Sequence, residues 1–515
     1  MFLRRLFRFI SSRGFILGVL LLVQLALILS CVVFLNDNYV VFSVTSTFIS
    51  IIIVLALINN QEENPSTKLA WIIVIMLLPI VGAAIYIMFG SRYASRNLRG
   101  KVQAEIEKSH NIMPSQQKII DLLAEYDAAA ASQCQYLLNV NQIPPLAAKN
   151  CRYFTSGEEL FPELLQELKK AEKYIFIESF IIQEGIFWNN ILAVLQAKAA
   201  QGVDVRVVFD DVGCLQTLPY NYHKTLEAMG IKCAVFNPIK LHPDTGLNNR
   251  DHRKIIIIDG QKAIVGGINL ADEYINQRER FGYWKDSALL FDGDAVAAQT
   301  LIFLQNWNLS EPERRLDYQQ YCPKTSCAVA DYKQGFIQPF YDTPFDGEHI
   351  GESVFMNIIN SANEYIYINT PYFIVDNELL MTLQLAAKRG VDVRICTPHI
   401  PDKWYVHMMT QAYYQPLQKA GIKVMEFEPG FNHTKSIVTD DKYAFVGTIN
   451  CDYRSFYHHF ECGVLLYGVQ NVINAMKEDF LATEKLCIPA DRAAGKTPLP
   501  LRILRSLLRL FAPLM

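Results

Sequence analysis

No Cys-x-x-Cys pair occurs in the 515 residues of this chain, and no excess of positive charge. The 11 cysteines are odd in number and scattered. Cys322 and Cys327, the closest two, suit neither a zinc ribbon nor a redox motif. Reduced, mostly buried thiols are expected, in a catalytic region facing a reducing cytosol. Lys and Arg number 48 against 51 Asp and Glu, a net charge of −3, which excludes a strongly basic nucleic-acid binder as the default. Paired carboxylates of the magnesium-site kind are also missing. Apolar residues, by contrast, make up 51% of the chain, with a mean hydropathy of +0.12. Most of that excess lies in the first ninety residues.

Three runs there lack charge: Phe15–Leu35, Val40–Ile58 and Leu69–Phe89, the last with Pro79 in its middle and Gly82 after it. Each is near the roughly 20 residues a helix needs to cross a bilayer. Residues 1–90 are therefore expected to be a membrane region of two or three apolar helices. Arg4, Arg5, Arg8 and Arg13 precede the first run, and Arg92, Arg96, Arg99 and Lys101 follow the third. Both clusters favour the cytoplasmic side. Three full crossings cannot satisfy both, so either one segment is re-entrant or one cluster yields. Residues 91–150 read as a helical connector.

The rest of the chain contains one passage twice. Ala171-Glu-Lys-Tyr-Ile-Phe-Ile177 returns as Ala362-Asn-Glu-Tyr-Ile-Tyr-Ile368, and Gly202-Val-Asp-Val-Arg-Val-Val208 as Gly390-Val-Asp-Val-Arg-Ile-Cys396. His252-Arg-Lys254 returns as His433-Thr-Lys435. Apolar β-branched runs alternate with helical stretches in each copy, which predicts sheets covered on both faces. The expected fold is α/β: two homologous α/β/α domains, 151–335 and 336–490, about a pseudo-twofold axis. A site on that axis receives one set of residues from each.

The motifs define that site. His252, Lys254 and Asp259 recur at the same spacing as His433, Lys435 and Asp440, and Asn269 and Asn450 lie 17 residues beyond each His. Chance supplies about 0.02 matches to the His/Lys/Asp part in a chain of this composition. His and Lys two apart on a strand share a face, so imidazole and ammonium meet in one pocket. The Asp is an odd number of residues on, which predicts a bracing role and no proton transfer. Two His, two Lys and two Asn form a phosphodiester site: Lys and Asn amides hold the non-bridging oxygens, one His attacks phosphorus and the other protonates the leaving alkoxide. No metal or other cofactor is expected, because the lysines supply the positive charge. A nucleophilic imidazole needs its other nitrogen tied to an acceptor. Asp286 and Glu461, 34 and 28 residues beyond their His and each leading into an apolar strand, are candidates; ordinary strand-edge carboxylates are the alternative.

These paired His-x-Lys-x4-Asp motifs resemble the phospholipase D superfamily over about residues 150–485. Asn249-Arg-Asp-His-Arg-Lys-Ile-Ile-Ile-Ile-Asp-Gly260, running on to Tyr274, resembles bacterial cardiolipin synthases, as does Asn64-Pro-Ser-Thr-Lys-Leu-Ala-Trp71 before an apolar helix with a central Pro. The resemblance implies transfer of a phosphatidyl group between two phosphatidylglycerol molecules, releasing glycerol. It implies His252 as nucleophile, His433 as acid and base, anionic phospholipid and the bilayer as partners with no nucleic acid, and a multi-pass bacterial cell-membrane protein with its catalytic region on the cytoplasmic face. Hydrolysis or transfer to serine would use the same site. A catalytically inactive membrane scaffold is opposed by intact motifs in both copies.

Smaller features carry milder expectations. His458 and His459 read as structural or rim histidines, for want of a third ligand at suitable spacing. Asp210-Asp211 reads as a turn-capping pair, and Tyr372, Phe373, Tyr413 and Tyr414 as core packing. Arg278 and Arg280 meet either a lipid headgroup or solvent. Residues 491–515 form a C-terminal amphipathic segment. Its Arg502, Arg505 and Arg509 share one helical face, expected to lie on an anionic lipid surface, with a terminal helix packed on the protein as the alternative.

Overall fold

The computed structural model describes residues 39–60, 63–90, 96–114, 116–238, 248–322, 335–490 and 498–514. The first apolar run lies outside them, as do Arg4, Arg5, Arg8, Arg13 and Arg92. The chain divides into two compact units, one N-terminal and one holding both sequence copies.

In the N-terminal unit the second apolar run is a helix over Tyr39–Asn59, 21 residues with no charged side chain. Asn64 then caps a helix over Pro65–Leu77 by accepting from the Ser66 amide at 2.9 Å. Pro79 has no N–H to continue that helix. The chain breaks at Leu78 and restarts as Pro79–Ile85, so the third run is two short helices, as the central Pro predicts. Gly82 is required where they meet, since a Cβ there would lie 2.4 Å from the Val74 carbonyl oxygen. Leu57, Trp71 and Ile75 form the unit's apolar cluster, and Leu514, near the end of the chain, packs against it. Among the described residues no helix is long and apolar enough to cross a membrane. The expected set of two or three spanning helices is thus not found there, and Tyr39–Asn59 comes nearest.

The second unit is built from two sheets of one topology. In the first copy the strands are Lys149–Phe154 (β1), Tyr174–Ser179 (β2), Asp204–Asp210 (β3), Lys232–Phe236 (β4), Lys254–Ile258 (β5), Lys262–Gly266 (β6) and Ala288–Asp292 (β7), in the order β1-β7-β6-β5-β2-β3-β4. In the second they are Phe336–Asp342 (β8), Tyr365–Asn369 (β9), Asp392–Pro398 (β10), Lys423–Phe427 (β11), Ser436–Thr439 (β12), Tyr443–Gly447 (β13) and Glu461–Tyr467 (β14), in the order β8-β14-β13-β12-β9-β10-β11. Short strands Leu146–Ala147 and Cys487–Pro489 extend the second sheet at its edges. The repeat read in the sequence is a repeat of topology.

Strand periodicity explains the continuous isoleucine run of β5. Ile255 and Ile257 enter the core shared with the second sheet, which also holds Tyr367, Val438 and Val446. Ile256 and Ile258 enter the core beneath the outer helices of the first copy, with Leu160, Leu164 and Trp188. Both faces are buried, so no position is free to be polar. The helix Ala295–Ser310, buried from Ala295 to Asn308, packs against strands of both sheets. Connector helices Gln117–Tyr126 and Ala128–Asn141 close the second sheet, where the Asn141 side-chain Oδ1 accepts from the Tyr341 amide at 3.0 Å.

The cysteines behave as expected: among the described residues all nine are free and eight are buried. The C-terminal helix, Leu499–Leu510, departs from expectation. Arg505 donates to Gln411 of the helix Trp404–Lys419, and the Arg509 guanidinium lies 4.6 Å above the ring of Tyr413 on that helix. Arg505 and the exposed Arg509 thus lie against protein, the packed terminal helix that was the alternative, because amide and aromatic partners lie beneath them.

Candidate active site

Backbone pairing between the copies builds the site. The residues entering the first motif bridge to those entering β14: the His252 amide donates to the Phe460 carbonyl at 2.9 Å, and the Phe460 amide to that of Arg250 at 2.8 Å. The second motif does the same with the first copy. Gly430–Asn432 runs parallel to Tyr283–Lys285, and the His433 amide donates to the Lys285 carbonyl at 2.7 Å. Each His is therefore laid beside the carboxylate of the opposite copy.

The side chains follow. His252 Nδ1 lies 2.9 and 3.0 Å from the two carboxylate oxygens of Glu461, and His433 Nδ1 lies 2.6 Å from Asp286 Oδ2. Asp286 and Glu461 do meet imidazoles, but each meets the His of the other copy, a pairing that spacing along the chain cannot reveal. Both carboxylates are fully buried. With Nδ1–H donating to a carboxylate, each ring turns its Nε2 to chemistry, as a lone pair in one ring and as the proton carrier in the other.

Charge tunes the rings. Burial, then the Lys254 and Lys435 ammoniums, hold His252 well below the usual imidazole range, and burial with Lys435 does the same to His433. Burial also lowers Lys254 to about 8 and Lys435 to about 7, although Glu461 and Asp286 pull the other way. Asp286 is raised by burial to about 6, with Lys435 opposing. Each ammonium donates to the carbonyl of the His two residues before it. Phe180 and His459 wall His252 at ring distances of 5.0 and 5.4 Å, and Trp284 and Tyr274 wall His433 at 5.3 and 5.5 Å.

The departure of the second motif, Gly447-Thr448 against Gly266-Gly267, has a geometric cause. A Cβ on Gly267 would stand 2.0 Å from Asp286 Oδ1. At the matching place Thr448 donates its hydroxyl to Glu461 at 2.5 Å. The first copy needs room for its carboxylate, and the second adds a donor to hold its own.

Asp259 and Asp440 turn from the site, as their odd spacing predicts. Each sits at a φ of 54° after its strand and accepts from three consecutive backbone amides. For Asp259 these are Glu172, Lys173 and Tyr174 at 2.7–2.8 Å; for Asp440, Asn363, Glu364 and Tyr365 at 2.6–3.0 Å. Asn269 is more committed than expected, accepting from the Ile181 amide at 3.0 Å and donating to the Tyr274 hydroxyl at 2.6 Å. Among the described residues the buried side-chain oxygen of Asn450 has no hydrogen-bond partner.

Asp210 does not line the mouth. It caps the Gly213 amide and pairs with buried Arg250 at 2.8 Å. Arg280 pairs with Glu273 at 2.7 Å. Tyr413 and Tyr414 are core residues that donate to the Val375 carbonyl and the Glu426 carboxylate.

A network behind the site escapes sequence reading. Asn306 donates to both Glu178 and Asp251 at 2.9 Å, and Arg253 donates to the Glu461 carbonyl at 3.1 Å. Burial raises both acids, Asp251 to about 6. Only the polarity of Glu178 and Asn306 within apolar elements could have signalled it.

Among the described residues, His252, His459 and Glu461 have ligand atoms within 4.8 Å of one another, near enough to hold an ion. His459 thus has neighbours that its sequence spacing hides. The donor set suits zinc. It fits poorly here, because Glu461 already serves His252 and Thr448, and Arg454 brings its guanidinium to 3.1 Å from His459 Nε2.

The site's two interlocked halves match known proteins. A family model described as "Cardiolipin synthase, PLD-like domain" matches residues 164–290 and again 355–483, and one described as "Phospholipase_D-nuclease N-terminal" matches 48–91. A cardiolipin synthase of Geobacillus thermodenitrificans is 34% identical over 90% of this chain and 92% of its own length. The major cardiolipin synthase of Bacillus subtilis is 31% identical over 91% and 97%. A solved phosphatidylserine synthase of Haemophilus influenzae covers 74% of this chain and 97% of its own at a TM-score of 0.56 and 16% identity, a likeness of fold. Fold and paired motifs define a phospholipase D-like protein. Within that class, the chain belongs to the cardiolipin synthase family.

Proposed function

We propose that this chain is a phosphatidyltransferase that joins two phosphatidylglycerol molecules into cardiolipin and releases glycerol. The observation that carries the mechanism is the crossed clamp, His252 on Glu461 and His433 on Asp286, with Lys254 and Lys435 in the same pocket. His252 Nε2 attacks the phosphorus of one phosphatidylglycerol; the bond from phosphorus to the glycerol oxygen breaks as His433, protonated at Nε2 beside the bound phosphate anion, delivers that proton to the oxygen. A phosphohistidine results. The terminal hydroxyl of a second phosphatidylglycerol then gives its proton to His433 and attacks phosphorus, and the phosphorus–nitrogen bond breaks. Lys254 and Lys435 oppose the charge that builds on the non-bridging oxygens. Asp259 and Asp440 brace the fold and move no proton.

Membrane attachment belongs to this reading. Tyr39–Asn59 carries no charge and exposes Val40, Val41, Val44, Phe48, Ile52 and Leu55, a surface suited to lipid. The catalytic unit then works at the cytoplasmic face of a bacterial cell membrane.

Purified protein supplied with phosphatidylglycerol alone tests the reaction. Cardiolipin and free glycerol in equal amounts are expected. Phosphatidic acid as the main product would instead make it a hydrolase.

A further inference from the structure

We infer that the C-terminal helix Leu499–Leu510 inserts its apolar face into the bilayer, holding the helix Trp404–Lys419 and the catalytic mouth at the membrane surface. The inference rests on the membrane reading above and adds a second contact to it. An amphipathic helix packed on a protein normally buries its apolar side. This one is reversed. Arg505 is half-buried and bonded to Gln411, Arg509 stacks on Tyr413, and the opposite side exposes Leu501, Ile503, Leu504 and Leu507 by 39, 54, 38 and 52%. Water is a poor solvent for four aliphatic side chains on one helical face. Lipid is a good one.

Two further observations favour lipid over a second copy of the chain. Twelve residues span about 18 Å, a narrow strip beside the roughly 800 Å² per partner of a standard protein interface. The supporting helix also opens with Trp404, 63% exposed, a residue type enriched where protein meets headgroups. Lys403, just before that Trp, lies close enough to His433 for its ammonium to help depress the imidazole. Asp402, one residue further back, accepts from the Tyr372 hydroxyl at 2.6 Å, and that ring neighbours Phe431, which stacks against His433, so the anchored platform leads to the site. A lipid headgroup can reach His433 while its acyl chains stay in the membrane.

The test uses full-length protein reconstituted in vesicles of phosphatidylglycerol and phosphatidylethanolamine. A photoreactive benzoylphenylalanine is placed in separate samples at Ile503, at Leu507, at Leu55 of the N-terminal unit and at exposed Lys388. After irradiation, mass spectrometry should find acyl-chain adducts at Ile503, Leu507 and Leu55, and background at Lys388. Adducts at Leu55 with only background at Ile503 and Leu507 overturn this inference alone. So does cross-linking of Ile503 or Leu507 to a second copy. Background at Leu55 as well overturns the membrane reading itself. In parallel, the double variant Ile503→Glu, Leu507→Glu should keep its turnover in detergent micelles and lose it several-fold on vesicles. Equal turnover on vesicles refutes the proposed role.

Discussion

Glu461 and Asp286 decide which nitrogen of each imidazole is left for chemistry, so their neutral isosteres should be damaging without being bulky. Glu461→Gln acts on His252 and should slow phosphoenzyme formation. Asp286→Asn acts on His433, which protonates the leaving glycerol and later deprotonates the acceptor, and should slow both formation and resolution of the phosphoenzyme. Losses of about 10²–10⁴-fold are in the range of a general acid–base group. Rapid-quench labelling with phosphate-labelled lipid separates the two, and a resolution step slowed as much by Glu461→Gln as by Asp286→Asn would break the crossed assignment. The lysines set the pH response. Lys435 at about 7 and Lys254 at about 8 lose their charge as pH rises, and with it their hold on a phosphodiester. Both are bases whose folded pKa is depressed below the ordinary 10.5, so the unfolded chain holds more protons between those values. The destabilisation is full below the folded pKa and relieved as pH climbs toward the unfolded one. From about pH 7 to about pH 9, kcat/KM should fall while the Tm of the lipid-free protein rises. A kcat/KM that stays level across that interval would remove the lysines from anion binding.

At the scale of the element, Asp259 and Asp440 show how one residue ties two segments through three amides. Each ends the strand of its motif in the left-handed region, where Asp is tolerated, and collects the amides that open the neighbouring strand. The pairings β5–β2 and β12–β9 are thereby held at their ends. Hydrogen bonds to a charged acceptor contribute about 1.5–3 kcal/mol each, less where solvent reaches them. Asp259→Ala removes all three and puts a residue less suited to positive φ at the turn. It should lower the midpoint of chemical denaturation by an amount worth about 2–4 kcal/mol. Turnover per folded molecule should stay near that of the parent. Lost turnover with unchanged stability would give Asp259 a part in the chemistry.

At the scale of the whole molecule, neither copy holds a complete site. Each supplies one imidazole, one ammonium and the carboxylate that its partner copy's imidazole requires. The positive charge comes from Lys254 and Lys435, so activity should survive exhaustive chelation. Loss of turnover with EDTA and its return with one divalent ion would overturn the metal-free mechanism.

The sequence by itself determined the duplication, the α/β layering and the pocket of two imidazoles and two ammoniums. These are local or periodic properties: strand alternation puts His and Lys on one face, two buried faces demand runs such as Ile255–Ile258, and a central Pro breaks a helix wherever it stands. It also pointed to Asp286 and Glu461, each entering an apolar strand. Only the tertiary structure decided that they cross between copies, because the backbone pairings of Asp251 with Phe460 and of Gly430–Asn432 with Tyr283–Lys285 join residues about 150–210 apart in the chain. It also decided that Asn269 is spent within its own copy, that Asn306 joins two buried acids, and that Arg505 and Arg509 lie against protein. An amphipathic pattern says that a helix has two sides. Which side meets protein depends on what lies beneath it, here Gln411 and Tyr413.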